Sequence, residues 1–86
     1  MNRFEKIAKQ VTGYSVYQGI IHPILQKLGR VDIDPRHVEA YCRLDSPTGT
    51  LDSWSHSKFV QVMPEIIEAI DQDPRQAEKL ADSYGL

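Results

Sequence analysis

Apolar residues recur along this chain in blocks of helical period, and the breaks between blocks carry the residues that start and stop helices. Phe4, Ile7, Ala8 and Val11 form the first stripe, predicting a helix over about Asn2 to Thr12 that Gly13 ends. Val16, Tyr17, Ile20, Ile21, Ile24, Leu25 and Leu28 form a wider face, expected to be the central helix and to end at Gly29. Pro23 lies inside it, with no amide proton for the Gly19 carbonyl, so a kink or break near His22 is expected.

Asp34-Pro35 reads as an N-cap followed by a first-turn proline, opening a third helix with Val38, Tyr41, Cys42 and Leu44 as its buried stripe. Ser46-Pro47-Thr48-Gly49 ends it, and a loop runs to Trp54. Ser55 caps a fourth helix whose stripe is Phe59, Met63, Ile66, Ile67 and Ile70. The stripe keeps its phase across Pro64, which favours one kinked helix over two. Asp73-Pro74 repeats the same opening for a last helix with Ala77, Leu80, Ala81 and Tyr84 on one face, closed by Gly85, with Leu86 folding back. No stretch alternates with period two. The fold class is therefore all-α: one compact domain over 1–86 of about five helices, two of them kinked at proline.

Composition changes this picture little. With 86 residues, 41% hydrophobic and 26% charged, the chain suits one small globular core. Cys42 is the sole cysteine, so no intrachain disulfide can help that core, and a homodimer is a natural expectation. A lone cysteine fits a reducing compartment, and no run approaches the ~20 apolar residues of a membrane span. A cytoplasmic protein without membrane contact is expected. Charge is uneven: residues 1–30 sum to +4 and residues 31–86 to −6. Opposite halves can attract each other within one molecule or head to tail between molecules.

Candidate chemistry is sparse. One cysteine and three scattered histidines make no metal-ligand spacing, no cofactor motif occurs, and no catalytic residue is assigned. Cys42 sits on an apolar stripe, where a thiol is more often packing than nucleophile, so an enzyme using it is the weakest reading. A helix-turn-helix-like DNA-binding regulator is the alternative function, with Arg36, His37 and Arg43 facing a groove and Arg3, Lys6 and Lys9 assisting. Glu39 and Asp45 on the same helix would repel phosphates.

The leading expectation is a non-enzymatic protein that binds another protein, as an interaction, accessory or inhibitor protein. Its candidate contacts are Leu51 and the single tryptophan, Trp54, together with the acidic strip Glu65, Glu68 and Asp71. Trp54 also has the spacing of a hydrophobic staple to Phe59, which would make it structural. Val16, Tyr17, Val60 and Val62 are surplus apolar surface where a dimer could form.

The runs Val38-Glu39-Ala40-Tyr41-x-Arg43-Leu44, Gly49-Thr50-Leu51-Asp52 and Leu80-Ala81-x-Ser83-Tyr84-Gly85-Leu86 resemble short uncharacterised bacterial proteins of phages, plasmids and genomic islands. The resemblance covers residues 38–86. It departs at Ser57 and Lys58, where such proteins often carry an acid or glutamine after the serine cap. It implies a setting, mobile DNA in a bacterial cytoplasm, and brings no catalytic residues. In that setting a host defence or replication protein would be the partner.

Overall fold

The computed structural model describes residues 14–86. The first expected helix, over Asn2 to Thr12, lies outside them. The described residues form four helices: α1 (Val16–Lys27), α2 (Pro35–Asp45), α3 (His56–Gln72) and α4 (Pro74–Ser83). Each starts where its cap chemistry directs. The Ser15 hydroxyl accepts from the Gln18 amide at 3.2 Å, Asp34 from Arg36 at 2.9 Å, Ser55 from Lys58 at 3.2 Å and Asp73 from Gln76 at 3.1 Å. Pro35 and Pro74 occupy first-turn positions where no amide donor is needed.

Helices α1 and α4 end in the same way. Gly29 and Gly85 adopt φ of 71° and 73°, and the following amides close on the helix, Arg30 N to Leu25 O at 2.9 Å and Leu86 N to Ala81 O at 3.0 Å. This is the Schellman closure, which satisfies carbonyls that a helix end leaves open. The prolines inside α1 and α3 do not break them: both run on as single helices through Pro23 and Pro64.

The core joins all four helices. Ile21, Ile24 and Leu25 meet Val38 and Cys42, with Phe59, Met63, Ile66 and Ile70 from α3, Ala77 from α4, and Ile33 and Leu51 from the connectors. The organising element is α2, which packs against α1, α3 and α4, whereas α1 and α3 meet only sparsely. This corrects the expectation that the 16–28 helix is central: its broad apolar face is only partly covered, and Leu28 at its end is 51% exposed. Leu44, expected in the buried stripe of α2, is 60% exposed.

Burial of Glu39 is the feature that helical periodicity does not foretell. Its side chain is wholly inaccessible, yet every donor around it is aimed at it. Oε1 accepts from Ser15 Oγ at 2.7 Å and Gln18 Nε2 at 2.9 Å, and Oε2 accepts from Arg43 Nε at 2.9 Å and lies 2.8 Å from Arg43 Nη2. The Ser15 hydroxyl thus caps α1 and donates to α2 at once. Arg43 also donates to the Gly49 carbonyl at 3.2 Å, and its guanidinium lies 5.7 Å from the centre of the Tyr17 ring. Tyr17 in turn donates to Asp52.

Outside the core, Arg30 donates to both oxygens of Asp71, at 2.9 and 2.7 Å, and to Asp32 at 3.2 Å. The Arg30 guanidinium holds both carboxyl groups below their ordinary range. The pair ties the end of α1 to the end of α3.

Removing one partner of a buried charge pair leaves the other uncompensated, so Arg43→Ala is expected to destabilise the fold by about 3 kcal/mol. Urea denaturation followed by circular dichroism measures this. A loss under about 1 kcal/mol, the range of an exposed ion pair, would show that the pair does not organise the core.

Candidate functional site

Where α1 and α3 fail to close on each other, an apolar groove of about 740 Å³ opens. Pro23, Ile24 and Leu28 line it from α1 and its cap, and Val60 and Pro64 from α3. The groove follows from the packing just described: α2 holds both helices but the two have few mutual contacts, so the other described residues leave the outward flank of each apolar face uncovered. Leu28 and Val60 are 51% and 46% exposed, an unusual placement for large aliphatic side chains on neighbouring elements. Among the described residues the polar rim consists of Gln26, Lys27 and His56, and no carboxylate lines the groove.

Both prolines that interrupt helices lie in this wall. A proline in a helix interior costs about 3 kcal/mol relative to alanine. Both are exposed, so core packing does not require them.

On the opposite flank of α3 lies a shallower apolar face of about 210 Å³, shared with α2. Tyr41, Leu44, Val62, Ile66 and Ala69 form it, and its charged members are Asp45 and Glu65. No cation lines it. Leu44 stands out from this surface, while Ile66 beneath it belongs to the core.

Residues singled out from sequence are placed as follows. Leu51 is 1% exposed and belongs to the core, so it is not available as a contact, because the 46–54 loop folds over it. That loop is held by the Ser46 hydroxyl, which donates to the Thr50 carbonyl at 2.6 Å, and by the Trp54 amide, which donates to the Leu51 carbonyl at 3.1 Å. Trp54 is half-buried with its ring 5.2 Å from that of Phe59, the staple geometry, and Lys58 lies 5.3 Å from the tryptophan ring centre. Leu51 and Trp54 therefore act on the fold.

The acidic strip is not continuous. Glu65 faces the α2 side, Glu68 is exposed and accepts from Gln72 at 3.4 Å, and Asp71 is engaged by Arg30. The basic set also divides. Arg36 and His37 converge on Glu78, at 3.6 and 2.6 Å, and Arg36 also donates to Asp34 and to the Leu86 carbonyl. Burial raises the Asp34 carboxyl, but the Arg36 guanidinium and amide outweigh it and hold the group below its ordinary range. Arg43 points the other way, into the Glu39 site. Arg3, Lys6 and Lys9 lie outside the described residues. The three α2 side chains thus do not present one basic surface.

Cys42 is inaccessible, and burial pushes its thiol up to about 12, with Glu39 and Asp45 adding to the effect. A thiol so placed is a poor nucleophile. His22 packs its ring against Tyr14 at 5.2 Å. Among the described residues no group of three or more His, Cys, Asp or Glu is placed to hold a metal ion, and no helix is long and apolar enough to cross a membrane.

The sequence reading flagged Val60 as surplus surface but missed Leu28, Lys27, His56 and the two prolines as its neighbours. The available signal was the pair of mid-helix prolines, each of which costs its helix a backbone hydrogen bond.

Two outcomes are expected. Pro64→Ala should stabilise the protein by about 2 kcal/mol, the ~3 kcal/mol helix penalty less the ~1 kcal/mol proline gives by restricting the unfolded chain. Thermal denaturation measures this, and an unchanged midpoint would mean that α3 accommodates the proline without cost. Cys42 should resist a thiol-specific reagent at pH 8 in the native protein and react at once in denaturant; rapid native labelling would contradict its burial.

Neither protein families, curated proteins nor solved structures give a match to this chain.

Proposed function

We propose that this chain is a small non-enzymatic protein-binding module whose contact surface is the groove between α1 and α3. One observation carries the reading: Leu28 and Val60, two large aliphatic side chains about half exposed, share a single groove with both mid-helix prolines. Exposed apolar surface gathered into one concavity, with a polar rim, is what a docked protein segment desolvates. The inward-turned Cys42 and the apolar character of the groove's described lining favour binding over catalysis. Pairing of Arg36, His37 and Arg43 with carboxylates weighs against the DNA-binding alternative, because each phosphate contact would have to displace an internal one.

Site-specific photo-crosslinking in the native cells tests the reading. A benzophenone amino acid at position 60 should give protein adducts, whereas the same residue at position 61, exposed elsewhere on α3, should not. Equal yields from both positions, or none from position 60, would overturn the groove as the contact surface.

A further inference from the structure

The two apolar surfaces flanking α3 carry opposite charge at their edges among the described residues. Among the described residues, the α1–α3 groove is rimmed by Lys27 and His56 with no acid, and the α2–α3 face carries the exposed Leu44 with Asp45 and Glu65 and no base. They lie on opposite flanks of one helix: Val60 and Pro64 mark one side, and Val62, Glu65 and Ala69 the other. Successive residues step about 100° around a helix, so residues 60 and 62 face away from each other.

We infer that the chain associates head to tail with itself, Leu44 of one copy seated in the Leu28–Val60–Pro64 groove of the next and Asp45 and Glu65 set beside Lys27. This rests on the groove being a protein-contact surface and names its occupant. Because the two contacting surfaces differ and lie on opposite flanks, each copy keeps a groove and a face to offer. The contact is heterologous, so it propagates or closes into a ring rather than stopping at a two-fold dimer. The contact engages one leucine and a few charged side chains on each copy, so the association is weak. Dissociation constants between about 10 μM and 1 mM fit such a contact. Its charged component involves exposed groups and is screened by salt.

Sedimentation velocity on the full chain, across a concentration series at low and high salt, tests this. Mass should grow with concentration beyond the dimer or to a ring, and fall as salt rises. Lys27→Glu and Glu65→Lys should each weaken association about tenfold, since each turns an attraction into a repulsion. Leu44→Asp, at a position 60% exposed in the monomer and so tolerated by the fold, should abolish it.

An equimolar mixture of the Lys27→Glu and Glu65→Lys proteins should regain association that neither shows alone, because one supplies an intact face and the other an intact groove. A wild-type protein monomeric to about 1 mM at low salt would overturn the inference. So would association indifferent to Leu44→Asp, or a dimer that does not grow with concentration. Crosslinks from position 60 to a different protein would sink self-association alone, whereas loss of position-60 crosslinking altogether would sink the groove reading beneath it.

Discussion

A buried carboxylate with four polar contacts governs how this small bundle is assembled. Glu39 has no access to water, and the loss of its hydration is offset only because Ser15, Gln18 and Arg43 all reach it. Those partners come from the start of α1 and from α2 itself, and Arg43 continues to the Gly49 carbonyl of the following loop. The network therefore fixes how the start of α1 lies on α2 and where the 46–50 turn lies. Hydrophobic contact alone would allow helices of this length several near-equivalent packings; a carboxylate that must find its donors allows few.

Placing α2 at the centre has a consequence on the far side of the molecule. Helices α1 and α3 are both anchored to α2, and Arg30 clips their C-terminal ends together through Asp71. Among the described residues, no ion pair of this kind joins the second half of α1 to the first half of α3. Pro23 and Pro64 sit there, denying the Gly19 and Val60 carbonyls their helical amide partners. Among the described residues, the groove is thus where two helices held by a third leave part of their apolar faces uncovered.

The distribution of charge fits the same geometry. Both arginines of α2 are consumed internally: Arg36 by Asp34 and Glu78, Arg43 by Glu39. Lys27 at the groove and Asp45 and Glu65 on the opposite flank are left at the edges of apolar surface, where a charge sets partner and orientation more than affinity.

Local chemistry was legible from the sequence. Ser15 apart, the caps at Asp34, Ser55 and Asp73, the first-turn prolines, the stops at Gly29 and Gly85 and the Phe59–Ile70 stripe all depend on residues within a few positions of each other. Spacing alone therefore determined them. So too did the staple of Trp54 on Phe59, which is a contact over five residues. Tertiary structure decided what depends on distant partners. Glu39 looks like any surface acid on a helix until Ser15 and Gln18, more than twenty positions away, are brought against it. Leu44 and Leu28 satisfy the helical period as well as any core residue, and are exposed because no neighbouring element reaches them. Periodicity states which side of a helix is apolar; only the packing of the other helices determines how much of that side is covered.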